Sequence, residues 1–425
     1  MKCIHNDSIK ESIYHTKHDT GLDIYVIPKS DFSKYYGIFA VNYGSNDNEF
    51  IIPETNKSII VPDGIAHFLE HKMFEKEQGS IFDDYAALGS SPNAYTTFDT
   101  TAYHFMASSN VDENIELLLH SVFNPYFTES SIEKEKEIIG QEIKMYEDNP
   151  NWRVYFNLLD CLYIKYPVKN EVAGTLDSIS KINKELLYDC YNTFYHPSNA
   201  LFLIVGDVNP DSINETIDRV VNEKNYEKSK NPKRIYPHEP AKLNSNYKEQ
   251  RLSIAIPLFA IGFKDNDIGY NGKNLLKKEL ETSIILEGLL GRSSIIYSEL
   301  YDKGLINDTF SSDYVGEKDY GYSLIAGESK DPEKVKNEIV KLITSKISMD
   351  EDRFQRIKKK FTGQFISSFN SVEYIGSNFV SYGMKNINLF DYQEVLSEIN
   401  YKDIMQRFEG HFIHDNMALS VVNPA

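Results

Sequence analysis

His67-Phe68-Leu69-Glu70-His71 places two imidazoles and a carboxylate within five residues. On a helix, residues four apart stand on one face about a turn apart, so His67 and His71 can aim nitrogens at one metal ion while Glu70 lies beside them. His-x-x-Glu-His is the inverted form of the His-Glu-x-x-His zinc helix. Zinc held by nitrogen and oxygen ligands lowers the pKa of its water towards neutrality, and a nearby carboxylate can accept the proton as that water attacks a carbonyl. His67 and His71 are therefore candidate ligands for one Zn2+ per chain, and Glu70 is the candidate general base. The competing reading is a chance pattern on a solvated helix face. It is weakened by the scarcity of histidine, with 11 in 425 residues.

A catalytic zinc site needs a third protein ligand and an open fourth position. Candidates lie between Ser130 and Pro150, where Ser130 and Glu133 have the spacing of a capping box and Pro150 marks a stop. Ile132, Ile138, Ile139 and Ile143 give a partial helical stripe. Glu135 and Glu142 are seven residues apart, close to two turns, so both face the same way. One can ligate while the other orients a ligating histidine from behind. Periodicity alone does not choose between them.

Taken together, the segments from Asp63 to Glu75, from Ser91 to Thr97 (Ser-Pro-Asn-Ala-Tyr-Thr-Thr) and from Glu135 to Pro150 resemble the pitrilysin-type (inverzincin, M16 family) zinc metallopeptidases. That family includes mitochondrial processing peptidase and insulin-degrading enzyme, and this chain most resembles its bacterial members of similar length. The resemblance implies an α+β fold of two homologous LuxS/MPP-like metallohydrolase domains, each a mostly antiparallel sheet packed with helices. It further implies that Glu142 completes the zinc site, that Glu135 supports a ligand from the second shell of the metal, and that peptide bonds are cut in a closed chamber. Asn93, Ala94 and Tyr95 would touch substrate on an edge strand, where an extended peptide adds as a further strand with little demand on its side chains. Read without the resemblance, the same segment is a turn at Ser91-Pro92-Asn93 leading into an alternating strand that resumes at Thr101, and His104 is a strand histidine.

One stretch departs from the family pattern. Active relatives carry an Arg and a Tyr in the second half that stabilise the oxyanion, a role with physical value because negative charge develops on that oxygen. Between Gly291 and Asn307, anchored on Glu299 and Gly304, the Arg position holds Ile295 and the Tyr position holds Asn307. Arg292, Tyr301 and Tyr314 are the nearby residues with suitable chemistry. The pattern implies a zinc-bearing subunit that works with a homologous sister subunit supplying the Arg/Tyr pair, or as a homodimer. The alternative is a non-catalytic peptide-binding or assembly subunit of the same fold.

The elements that must position these residues fall in two similar series. Strands at 24–27 and 36–43 precede helices near 64–76, 112–123, 130–147 and 180–194, and a like order restarts at Leu252, a segregation that argues for α+β layers. The apolar strand at 199–206 is echoed at 416–423. This divides the chain into an N-terminal zinc-binding domain at 1–221, a polar linker at 222–250 and a C-terminal homologous domain without a metal site at 251–425. The segment at 46–62 reads as a loop or small hairpin. A net charge of -18, from 63 acidic and 45 basic residues, argues against nucleic acid as a partner. Three irregularly placed cysteines make no disulfide framework, and no apolar run is long enough to span a membrane. No apolar leader follows Met1-Lys2, which gives the expectation of a cytoplasmic protein.

Overall fold

A computed structural model describes every residue except 8, 54, 78, 225, 227–231 and 345–348. The chain forms two compact units. The first comprises Met1–Ile143, Asn170–Tyr236 and Ser368–Met384, and the second Lys144–Lys169, Pro237–Ser367 and Lys385–Ala425.

The first unit is built on a seven-stranded sheet in the order Lys2–Asn6, Glu11–Lys17, Asp23–Pro28, Ala200–Gly206, Tyr35–Val41, Thr101–Ala107, Ser91–Thr96. Ala200–Gly206 is buried at every residue, as expected of a strand whose sequence is a continuous apolar run covered on both faces. It pairs parallel to Asp23–Pro28 and antiparallel to Tyr35–Val41. The second unit has five strands in the order Tyr247–Leu252, Met417–Pro424, Leu258–Lys264, Gly321–Glu328, Ser311–Gly316. Here Met417–Pro424 again runs parallel to one neighbour and antiparallel to the other.

The two sheets therefore share one plan. In each, the last strand of the sheet inserts between two earlier strands, parallel to one and antiparallel to the other, and a hairpin forms the far edge. The 199–206 and 416–423 echo marks equivalent central strands, each preceded by a helix, Lys184–Phe194 or Tyr401–His411, and a short 3-10 turn. Two homologous α+β domains are present, and their sheets are mixed because each inserted strand makes one parallel pair.

Each unit also takes one helix from the other half of the sequence. Pro150–Leu162 packs on the second sheet and buries Val154, Phe156, Leu158, Leu159 and Leu162. Val372–Met384 packs on Ala200–Gly206 and Tyr35–Val41 of the first sheet. Glycine permits both approaches: the Tyr36 ring lies against Gly376, and Leu158 and Leu162 lie against Gly262.

Some local expectations shift. The helix spanning Glu135 and Glu142 runs Glu129–Glu147, and its cap is Thr128 with Ser131, not Ser130 with Glu133. Thr128 Oγ1 accepts from Ser131 N at 3.2 Å and Ser131 Oγ accepts from Thr128 N at 3.4 Å, while Glu133 pairs with Lys136. A hydroxyl at the preceding turn competes equally well for the free N–H groups, so several Ser/Thr positions satisfy the capping pattern. Pro150 does follow the helix end, but it also occupies the first turn of the next helix, capped by Asn149. The 46–62 segment is a hairpin, Glu49–Ile52 with Lys57–Ile60, joined by Lys233–Arg234. Within 222–250, Tyr247–Leu252 begins the second sheet, and 225 and 227–231 lie outside the described residues.

Candidate metal centre

The helix Ile65–Lys72 is fixed at its start. Gly64 adopts φ 91°, a left-handed conformation open to glycine, and a Cβ there would meet Ala173 O at 2.5 Å. The Asp63 carboxylate accepts from the Asn48 and Asn170 amides at 3.0 and 3.2 Å, and its backbone oxygen accepts from Ser178 Oγ at 2.8 Å. Ile65, Ala66, Phe68 and Leu69 join the core, so most of the helix is enclosed: His67 is 8% exposed and Glu70 7%, while His71 is half-buried. Lys72, fully buried, donates to Ser131 Oγ at 2.8 Å and pairs with Glu75, tying this helix to the N-terminus of Glu129–Glu147.

Across from it, Glu142 presents one oxygen to each imidazole. His67 Nε2 lies 3.7 Å from Glu142 Oε1 and His71 Nε2 3.6 Å from Oε2. Among the described residues, His67, His71 and Glu142 are the one group of His, Cys, Asp and Glu side chains whose ligand atoms converge, all within 4.8 Å of one another. These separations fit a shared ion. Four ligands about 2.1 Å from a tetrahedral zinc stand about 3.4 Å apart, which is too far for direct hydrogen bonds and close to what is seen.

Glu135 sits behind His71, its Oε1 accepting from Nδ1 at 2.9 Å. That bond places the ring proton on Nδ1 and turns the Nε2 lone pair towards Glu142. Burial pulls His71 down, but the Glu135 hydrogen bond and the charges of Glu70, Glu135 and Glu142 outweigh it, and its pKa is raised. His67 has no such carboxylate hydrogen bond. Burial and the neighbouring His71 push it down to about 4, so at neutral pH it is the uncharged imidazole that a metal requires.

Glu70 is raised by burial, an effect partly offset by the Thr96 hydroxyl, which donates to Oε2 at 2.6 Å. The sequence reading passed over Thr96. Its signal was present in the alternation of the strand, which puts Ala94 and Thr96 on the same face.

Asn93, Ala94 and Tyr95 lie on Ser91–Thr96 at the edge of the first sheet, paired with His104, Tyr103 and Ala102. Among the described residues no strand pairs with the other side of Ser91–Thr96. Asn93 is exposed, and Ala94 and Tyr95 are half-buried. His104 packs its ring beside Tyr36 and Tyr95 and takes no part in the converging group.

In the second unit, Ile295 is 62% exposed and Asn307 donates its amide to Glu328. Tyr314 is buried and donates to Asp265 Oδ2 at 2.6 Å, so its hydroxyl is committed inside that unit. Tyr301 is exposed and stacked on Tyr297, and Arg292 donates to Asp308 O at 3.4 Å.

Residues 62–176 match the family model described as Insulinase (Peptidase family M16), and 181–361 match the Peptidase M16 inactive domain. The chain is 41% identical, over all of its length and 99% of the relative's, to the zinc protease YmfH of Bacillus subtilis. It is similar to the crystal structure of an M16-like peptidase from Alicyclobacillus acidocaldarius, with TM-score 0.92 and 33% identity over 98% of this chain and 99% of that one. The periplasmic protease PqqL of Escherichia coli shares the fold at TM-score 0.76 and 15% identity, over all of this chain and 48% of that one. That last similarity overturns the cytoplasmic expectation, because the same fold serves in the periplasm and carries no cytoplasmic address. With both halves matched and a full-length relative at this identity, the chain belongs to peptidase family M16, the pitrilysin-type zinc metalloendopeptidases.

Proposed function

We propose that His67, His71 and Glu142 hold one Zn2+, that Glu70 is the general base, and that Asn93, Ala94 and Tyr95 receive an extended peptide as an added strand. The observation that carries this reading is the convergence of two imidazoles and a carboxylate beside a buried carboxylate of raised pKa. Zinc bound there supplies an acidified water and polarises the peptide carbonyl. Glu70 takes the proton from the attacking water and returns it to the departing amine. Glu135 keeps His71 in the ligating tautomer. Strand addition at the edge needs a free, extended backbone, which selects unstructured peptides over folded proteins.

We also propose that the chain descends from two LuxS/MPP-like halves, 1–221 and 251–425, joined by 222–250, a division along the sequence that differs from the packing units by the exchanged helices Pro150–Leu162 and Val372–Met384 and by Tyr247–Leu252, which begins the second sheet. Ile295 and Asn307 supply neither the cation nor the phenol that stabilises an oxyanion, and Tyr314 is committed to Asp265. We therefore assign the oxyanion contact to a homologous sister subunit, which makes this chain the zinc-bearing member of a pair.

The test is cleavage of a library of unstructured peptides by the zinc-loaded chain, alone and mixed with a homologue that carries the Arg/Tyr pair. Products are mapped by mass spectrometry, with Glu70→Gln as control. Cuts that need the homologue and vanish in Glu70→Gln support the full reading. Cuts by the chain alone remove the sister subunit from it, and cuts that survive Glu70→Gln remove the base.

A further inference from the structure

Glu70 is buried, and the Thr96 hydroxyl meets its carboxylate at 2.6 Å, the length of a charge-assisted O–H···O⁻ bond. The direction of that bond follows from the neighbours. Thr101, directly opposite Thr96 in register, donates its own hydroxyl proton to Tyr43 O at 2.9 Å, and its Oγ1 stands 3.5 Å from that of Thr96. Tyr43 O has no proton to give and the carboxylate is the strongest acceptor in reach, so the Thr96 proton goes to Glu70 Oε2.

Thr96 is itself held firmly. It ends the edge strand, and the turn after it closes through Thr97 N to Thr100 O at 2.7 Å and Thr100 N to Thr97 Oγ1 at 3.0 Å. The same turn is gripped from outside by Ser45 N to Thr97 O and Asn46 N to Phe98 O, at 3.1 and 2.8 Å. Gly44 lies so close to Phe98 and Asp99 that a Cβ would collide with their backbone.

We propose that Thr96 is a positioning residue for hydrolysis, fixing the Glu70 carboxylate through Oε2 so that Oε1 is the oxygen left to take the proton. The strand that offers its edge to the peptide is then the strand that aims the base, and Ala94 and Thr96, two residues apart on one face, link the two tasks. This inference rests on Glu70 being the base and deepens that reading.

The experiment compares Thr96→Val, which keeps the branched shape and removes the hydroxyl, with Thr96→Ser, which restores it. It uses the zinc-loaded protein in the assembly that cleaves a fluorogenic unstructured peptide. Thr96→Val is expected to lower kcat about 10- to 100-fold, as for a misaimed catalytic group, with KM and zinc content unchanged. Thr96→Ser should recover most of the loss. Crystals of zinc-loaded Thr96→Val should show Glu70 turned from its wild-type rotamer, a readout that needs no turnover. Wild-type kcat in Thr96→Val, an equal loss in both variants, or an unmoved Glu70 would each overturn the proposal. Full activity in Glu70→Gln would instead remove the base reading, whereas an inactive Glu70→Gln beside a fully active Thr96→Val removes only the role of Thr96.

Discussion

In the first unit Glu142 faces two imidazole nitrogens at 3.6 and 3.7 Å, distances that leave room for an ion between them. In the second unit the buried Asp265 has its cations already in place. Arg407 Nη2 reaches Oδ2 at 2.5 Å, Lys278 Nζ lies 3.0 Å from the same oxygen, and Tyr314 donates to it at 2.6 Å. The surroundings correspond. Each unit packs a helix, Ile65–Lys72 or Gly272–Leu290, against its edge strand, and each edge strand sends one hydroxyl to a buried carboxylate. Even the helical spacing recurs: His67 and His71 stand four apart, as do Lys278 and Thr282, and Thr282 accepts from Arg407 Nε at 2.8 Å. One homologous frame thus holds a converging set of candidate metal donors in one half and an internally paired ion cluster in the other. The second unit also places Ser323 Oγ 2.6 Å from His411 Nε2 and His411 Nδ1 3.7 Å from Asp265, the residue types of a hydrolytic triad. Ser323 and His411 are at most 1% exposed, so no substrate reaches them. Residue types identify a site only when donors are both accessible and left for a ligand to satisfy.

The comparison breaks most visibly if zinc does not depend on the first cluster. His67→Ala or His71→Ala should drop zinc per chain from one towards zero by elemental analysis, and cleavage should fall to that of the chelator-stripped protein. Retention of stoichiometric zinc in both variants would refute the assignment.

Asp265→Ala probes the other half. It leaves Arg407 and Lys278 buried without their partner and should cost about 3–5 kcal/mol in denaturant unfolding while zinc stoichiometry stays at one. A cost near zero would show that the cluster is not structural.

Glu135→Gln gives a finer separation, since it weakens the support of His71 without removing a ligand. Zinc affinity, measured by competition with a chromophoric chelator, should fall about 10- to 100-fold. An unchanged affinity would make Glu135 a bystander.

The smallest effect is a pH slope. Burial would raise Asp265, but His411 and Arg407 outweigh it and hold the carboxyl well below its ordinary 3.8. Near that pH the unfolded chain therefore binds more protons than the folded one, so stability rises with pH. The contribution of Asp265 is complete above about pH 5 and is lost progressively as pH falls through 3.8 and below. Urea midpoints between pH 6 and 3 should show this decline, and Asp265→Asn should flatten it. An identical slope in the variant would assign the acid sensitivity elsewhere.

The legible parts of this chain were those fixed by short-range periodicity. His67, Glu70 and His71 share a helix face because their spacing suits one, and Glu135 and Glu142 share another for the same reason. The duplicated strand at 199–206 and 416–423 was readable because a fully buried strand must be continuously apolar. The capping residues of Glu129–Glu147 were misplaced because several hydroxyls fit the pattern equally. Thr96 was missed because its partner Glu70 is 26 residues away, and the Asp265 and Arg407 pair spans 142 residues. No local signal announces such contacts.

The sequence by itself therefore determined the family, the zinc-helix motif, the two-fold repetition and the absence of Arg and Tyr at the positions of Ile295 and Asn307. Only the tertiary structure decided that Glu142 faces both imidazoles while Glu135 backs His71, that Thr96 aims at Glu70, and that Pro150–Leu162 and Val372–Met384 each pack in the unit of the opposite half. The physical reason is one of range. Helical and strand periods are set by neighbouring residues, whereas the choice between two equally spaced glutamates, or between two apolar sheets for one apolar helix, is made by the packing of segments distant in the chain.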